Sequence, residues 1–320
     1  MHLFKSSPVR AHELGVLLDC MPADISGLDK VATLRLWQRW HKQGSLMLSR
    51  VDAIADDGRR QLKAVGATVW LTSTGALSLM QCDTRSCAHQ IYAAEQLGRT
   101  WVMVASDIEQ AHASNTLNLM VLHFWSSVDV GGAEFHPIFV QAHSLFRDTH
   151  QGFGVQRLLQ EVPANQAPIL EAAGMHIVHQ PSAELSGRTV LMEICADDAK
   201  ANPGSTFSFL FFSPRMRLNL KPAVQRMLQL ALQQLTDDDI AEALGCSRDY
   251  VRKLWSDAYA RMEDQGVLVL SDASLPHSTR RDPIGPKRGR ERRRLVLEFL
   301  RANLQEVRPG LPSHTQSISN

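Results

Sequence analysis

The chain has 320 residues, with 34 Lys and Arg against 33 Asp and Glu and a hydrophobic fraction of 44%. This balance excludes disordered, collagenous and disulfide-scaffold classes and leaves room for about two domains. The net charge of +1 is an average: residues 1–219 carry −2, residues 220–279 carry −3 and residues 280–320 carry +6. No apolar run approaches the roughly 20 residues of a membrane span, and no secretory h-region opens the chain. The five scattered cysteines read as reduced thiols, so a cytoplasmic protein without a membrane partner is expected.

Residues 29–43 place Val31, Leu34 and Trp37 on one helical stripe, with Leu36 and Trp40 beside it. The stretches 66–73, 100–105 and 117–126 read as strands, being β-branched and aromatic with little charge. A helix then carries Ile138, Ala142 and Leu145/Phe146, and a shorter one carries Val155, Leu158, Leu159 and Val162 before Pro163. Segments 174–180, 188–196 and 206–212 are further strands. Together they predict an α+β domain over residues 1–213, assigned to sensing or dimerisation.

From residue 214 the pattern is helical. Thr236 caps a helix whose first turn holds three Asp residues. That helix turns Ile240, Ala241 and Leu244 inward and ends at Gly245. Ser247 caps a second helix with Tyr250, Val251, Leu254, Trp255, Ala258 and Met262 inward. Arg248, Arg252 and Ser256 lie opposite, with Lys253 beside them. This is helix-turn-helix spacing. Residues 271–289, rich in Pro, Gly, Ser and charge, read as a flexible linker; 290–310 as a basic amphipathic helix; and 311–320 as a disordered tail.

Through Leu228, Ala231, Leu235–Thr236, Ile240–Ala241, Leu244, Ser247, Val251 and Arg252, the segment from about 218 to 262 resembles the LuxR-type helix-turn-helix domain of bacterial transcription regulators. The ending at 288–310, closing on Glu306-Val307-Arg308-Pro309, resembles the basic tail helix of a subgroup. The resemblance implies an all-α LuxR-like bundle over 214–270 and a homodimeric regulator whose partner is double-stranded DNA. A small-molecule ligand is expected for the N-terminal domain, and neither a reaction nor a cofactor is expected. The expected DNA contacts are Thr236, Ser247, Arg248, Asp249, Arg252, Lys253 and Ser256, joined by Lys287, Arg288, Arg290, Arg292 and Arg293 as a backbone clamp.

Two alternatives stand beside this reading. Gly152-Phe153-Gly154-Val155, preceded by Gln151, resembles the coenzyme-A pyrophosphate loop of acetyltransferases. An acyltransferase-like enzyme with an appended helix-turn-helix is therefore one alternative, although a turn between two helices is the plainer role for these glycines. A protein-interaction adaptor is the other. Cys82, Cys87 and His89 are too few and too widely spaced for a zinc site, so no metal is expected. His176 and His179 read as packing residues on a strand, and His136, His143 and His150 as a polar helix face. Trp70, Trp101 and Trp125 are candidates for a pocket lining, with core packing the commoner role.

Overall fold

The computed structural model describes residues 3–22, 29–82, 86–179, 189–212, 216–267 and 286–309, with side chains of the last segment from Glu291 onward. Contacts divide the chain into two units, Met1–Ser213 and Pro214–Asn320.

The first unit contains β1 (Leu3–Pro8), α1 (Leu14–Asp19), α2 (Lys30–Lys42), β2 (Leu46–Ile54), β3 (Arg60–Leu71), α3 (Ser73–Met80), α4 (Cys87–Gln96) and α5 (Ala105–Ser114). It continues with β4 (Leu117–Ser126), α6 (Phe135–His150), β5 (Val155–Pro163), α7 (Ala167–Ala172), β6 (His176–His179), β7 (Thr189–Cys195) and α8 (Ala196–Ala201). The strands form one sheet in the order β1-β2-β3-β4-β5-β7-β6. Every neighbouring pair is antiparallel except β4 and β5, which run parallel. A parallel pair needs a long crossover, and α6 supplies it.

Both faces of the sheet are covered. On one, Leu14, Trp37, Trp40, Leu79, Ile91 and Tyr92 from α1–α4 pack with Leu48, Val65, Ala67, Val69 and Leu122 of the strands. Trp37 and Trp40 are fully buried three residues apart on α2, the stripe expected of a helix lying on a core. On the other face, Ile138 of α6 meets Val51 and Ala64, and Trp70 packs against His150 and Phe153.

Several expected elements change class. Residues 155–162, expected to be a helix, are β5, with Val155, Leu158, Leu159 and Val162 all buried. A central strand is apolar on both faces, and here its spacing imitates a helical stripe. The expected strand 100–105 is a single bridge, Leu71 to Val102, followed by α5. Residues 206–212 contain a 3-10 turn, Ser208–Leu210, that buries Leu210. The expected fold, an α+β domain followed by a LuxR-like bundle, is corrected accordingly. The architecture is a mixed seven-stranded sheet with flanking helices, and β5 creates the parallel pair that the sequence reading lacked.

The second unit contains α9 (Pro222–Leu232), α10 (Asp237–Leu244), α11 (Arg248–Asp264) and α12 (Pro286–Ala302). Its core includes Met227, Leu228, Ile240, Val251, Leu254, Trp255, Ala258, Met262, Val296 and Leu300. Thr236 and Asp239 form a capping box at α10. Gly245 ends that helix at φ +61°, and Ser247 caps α11 by accepting the Tyr250 N–H. Glu306 is fully buried, and its carboxylate accepts the N–H groups of Arg217 and Leu218 at 2.8 Å each. Beside it, Gln229 donates to the Val307 carbonyl at 2.8 Å and Gln225 to the Arg308 carbonyl at 3.0 Å. The expected linker at 271–289 falls outside the described residues up to 285, and Pro286 already begins α12. The tail at 311–320 also lies outside them. Among the described residues no helix is long and apolar enough to cross a membrane.

Candidate active site

The ladder between β4 and β5 runs from Leu117 opposite Val155 to Val121 opposite Gln160 and stops there. Both strands continue. β4 remains paired with β3 as far as Ser126 opposite Ala64. β5 remains paired with β7 as far as Pro163 opposite Thr189. Past Val121 and Gln160 each strand keeps its outer partner and loses its inner one. The inner edges, with main-chain donors and acceptors, therefore face a gap in the middle of the sheet.

A bulge sits where the strands part. His123 lies opposite Ala67 and Val121 opposite Thr68, so Leu122 is an extra residue on β4. Leu122 and His123 then share the face covered by α2 and α4. Phe124 takes the opposite face and meets Phe139 of α6 at 6.4 Å between ring centroids.

His123, itself half-buried, ends a chain of side-chain hydrogen bonds whose other members, Tyr92 and Trp37, are buried. Trp37 Nε1–H donates to Tyr92 Oη at 2.7 Å, and Tyr92 Oη lies 2.9 Å from His123 Nε2. Indole nitrogen only donates, and among the described residues His123 Nε2 is the one acceptor bonded to the Tyr92 hydroxyl, so the hydroxyl proton is placed on that bond. This donor arithmetic assigns the neutral imidazole's own proton to Nδ1. The Tyr92 ring is stacked on His123 and on Trp40, with centroids 5.8 Å and 5.5 Å apart. Burial, helped by neighbouring His89, pushes His123 down to about 3. Burial raises the Tyr92 phenol.

The His123 shift makes a pH prediction. Between pH 6.5 and about 3 the unfolded chain binds a proton here that the folded chain refuses, so stability falls as the pH falls through this window. At pH 5 the group should cost about 2 kcal/mol relative to pH 7. Urea unfolding of the wild type and of His123→Asn at both pH values measures it. The variant should show the shallower pH dependence, and equal slopes would contradict the buried neutral imidazole.

The other wall of the gap carries Glu161, one residue past the last β4–β5 rung. Its Oε2 accepts the Cys87 N–H and its Oε1 accepts the Thr189 Oγ1–H, both at 2.7 Å. Cys87 opens the helix that also bears Tyr92, so α4 is bonded to both walls from the same face of the sheet. Burial first, and the Glu161 charge second, raise the Cys87 thiol strongly. Cys87 is therefore a packed thiol with little nucleophilic character. Residues 83–85 lie outside the described residues, and among those described no group of three His, Cys, Asp or Glu is placed to hold a metal.

Residues 127–134 lead from the free end of β4 into α6. Gly131 turns at φ +96°, and a Cβ on Gly132 would approach Val128 Cγ1 to 2.8 Å. The glycine motif singled out in the sequence lies elsewhere, at the opposite end of β5. Gly152 makes a turn at φ +91°. A Cβ on Gly154 would fall 2.4 Å from the His112 carbonyl, so close packing is what that glycine permits. A cavity of about 560 Å³ at this end is lined by Asn115, Arg157, Cys195 and Lys200 among others. Its cations are engaged, Arg157 with Glu193 and Lys200 with Asp197. The signal that pointed to the other loop was Gly131-Gly132 between an apolar strand and an amphipathic helix.

The residues expected to contact DNA all belong to the second unit. Thr236 and Ser247 serve as helix caps. Arg248 lies 3.4 Å from Asp238, and Arg252 lies 2.9 Å from Asp249. Lys253 is exposed, and Ser256 Oγ–H donates to the Arg252 carbonyl. Arg292 pairs with Glu263. Arg293 holds Asp237 through two bonds and lies 4.7 Å from the centroid of the Trp255 ring. Lys287, Arg288 and Arg290 fall in the first turns of α12, with side chains outside the described residues.

Other expectations also shift. His143 packs among Phe146, Phe207 and Phe209. His150 is buried, bonded to Thr68 and to the Phe146 carbonyl. The expected polar helix face is therefore largely an aromatic one. His176 lies 3.6 Å from both Glu193 and Asp198. Trp70 is core, while Trp101 and Trp125 are partly buried against the α1–α4 face.

No family model and no curated protein matches the chain. Solved structures do. An N-acyl amino acid synthase from uncultured soil microbes matches at 9% identity and a TM-score of 0.36, covering 67% of this chain and 100% of its own. A spermidine/spermine N-acetyltransferase from Vibrio cholerae matches at 7% identity and a TM-score of 0.35, covering 63% and 100%. A mosquito arylalkylamine N-acetyltransferase-like protein matches at 9% identity and a TM-score of 0.33, covering 60% and 100%. By description the first is an N-acyl amino acid synthase and the other two are N-acetyltransferases or like them, and none is described as a DNA-binding regulator. The LuxR-type assignment, the regulatory function, double-stranded DNA as partner and the expectation of no enzymatic activity are corrected on these findings.

Proposed function

We propose that the first unit is an acyltransferase that moves an acyl group from a pantetheine thioester, on coenzyme A or a carrier protein, to an amine. The observation that carries this reading is the parting of β4 and β5 after Val121 and Gln160 while both keep their outer partners. A pantetheine arm is extended and holds two amides, so it can pair with a free strand edge as a short added strand does. Phosphate groups at its far end would meet the 127–134 loop and the start of α6, where main-chain N–H groups favour anions. The strand order with a single parallel pair fits a GNAT-type acetyltransferase fold. Glu161, held by Cys87 and Thr189, offers a carboxylate to an incoming ammonium group on the face that also bears His123. A cytoplasmic site for this reaction fits the supply of acyl thioesters.

Calorimetric titration of the full chain with coenzyme A and with acylated carrier protein tests this reading, followed by thiol release from each thioester with a pool of amines and amino acids. Binding at micromolar to submillimolar levels and amine-dependent thiol release are expected. No binding of either donor up to about 1 mM would overturn the proposal.

A further inference from the structure

We propose that His123 acts as a neutral hydrogen-bond donor, its Nδ1–H meeting the carbonyl oxygen of the acyl group, and that Tyr92 and Trp37 are positioning residues that preset this tautomer. The assignment rests on the acyl-transfer reading and adds the group that stabilises charge on the reacting carbonyl.

Three observations carry it. His123 stands two residues past the last β4–β5 rung, on the bulge that begins the gap. Its Nε2 is taken by Tyr92, whose oxygen is itself held by Trp37, and Nδ1 has no partner among the described residues. The ring is fixed in orientation by stacking on Tyr92 and by a tilted contact with Trp37 at 6.3 Å between centroids. A fixed N–H with nothing to bond, beside an open strand edge, is placed to receive an acceptor atom from a ligand.

The chemistry follows from the tautomer. The amine nitrogen forms a bond to the thioester carbonyl carbon, and the carbonyl π electrons move onto oxygen. They return as the carbon–sulfur bond breaks, the sulfur leaves as thiolate, and the ammonium proton passes through water to give amide and free thiol. His123 neither gains nor loses a proton in this sequence. Its N–H stabilises the oxygen while that atom carries negative charge, as a preorganised donor does. An imidazole held neutral well below pH 6.5 suits a donor better than a base.

Two measurements test this. In the full chain labelled with 15N at histidine, long-range 1H–15N spectra should show His123 as the Nδ1–H tautomer from pH 7 to pH 5. The Nδ1–H resonance should move downfield when a ketone analogue of acetyl-coenzyme A is added. In thiol release from acetyl-coenzyme A with the amine pool, His123→Ala should lower kcat about 100- to 1,000-fold with little change in KM. His123→Asn, whose Nδ2 falls near the same position, should recover at least tenfold of that loss. Tyr92→Phe should lower kcat and release the tautomer preference, a change that a purely structural role would not produce. Binding of the analogue without a shift at Nδ1–H, an Nε2–H tautomer, or an effect of His123→Ala confined to KM with kcat unchanged overturns the assignment alone. Failure of the wild type to bind the analogue, coenzyme A and acylated carrier protein alike overturns the acyl-transfer reading and this assignment with it.

Discussion

Glu306→Leu is expected to destabilise the second unit by about 2–4 kcal/mol, since the change leaves the main-chain N–H groups of Arg217 and of buried Leu218 without their acceptor. The carboxylate is fully buried and accepts from Arg217 and Leu218, which immediately precede α9. Leucine replaces the volume but offers nothing to those donors, and each unmade bond costs about 1–3 kcal/mol. Glu306→Gln retains one oxygen and turns an NH2 group toward the second donor, so it should lose roughly half as much. Urea unfolding gives the total, and hydrogen exchange over residues 216–232 locates it. A leucine variant within about 1 kcal/mol of the wild type would show that the buried carboxylate is not what holds this end of α9.

Deleting Leu122 is the second large change, and it acts on the bulge and leaves the register intact. Val121 lies opposite Thr68 and His123 opposite Ala67, so without Leu122 these become consecutive rungs and residues 123–126 keep their faces. What is lost is a buried side chain of the α1–α4 layer and the local bend and twist that the extra residue gives β4 where it parts from β5. The loss of the buried leucine side chain costs about 2–5 kcal/mol. Leu122→Ala removes most of the same side chain, keeps the bulge and serves as the comparison. Both variants should be destabilised and retain the bond between Tyr92 and His123, whereas the deletion should also lose thiol release, because β4 is no longer bent away from β5. A deletion variant with the thiol release of Leu122→Ala would show that the bulge does not position the site.

The sequence was most legible where one physical rule decided the element. β4 was read at its observed ends, 117–126, because seven apolar and aromatic residues in ten, with no formal charge among them, permit little else. The caps at Thr236, Gly245 and Ser247 were also read from chemistry that acts within a few residues. β5 was not, because a strand buried on both faces has no period of its own. Once 155–162 was taken as a helix, the parallel pair and its gap disappeared from view. The candidate site depends on that pair and on a bulge, and His123, Tyr92, Trp37 and Glu161 are brought together only by strand pairing across 124 residues of chain. The basic residues near the end were legible as charge. Their pairing with Asp237 and Glu263 depends on how α12 packs, which spacing along one helix does not reveal.

The Glu306 clamp has a topological consequence. Because Arg217 and Leu218 are bonded to Glu306, and Gln225 and Gln229 of α9 to the carbonyls of Arg308 and Val307, the two ends of the second unit's described chain meet at one place, as in a closed ring. A ring can be opened elsewhere. A circular permutant joined across the clamp and cut between Val267 and Pro286, with the helix order α12-α9-α10-α11, should keep the same core and fold. Trimming residues 304–309 would, by contrast, release the start of α9 at the other end of the unit.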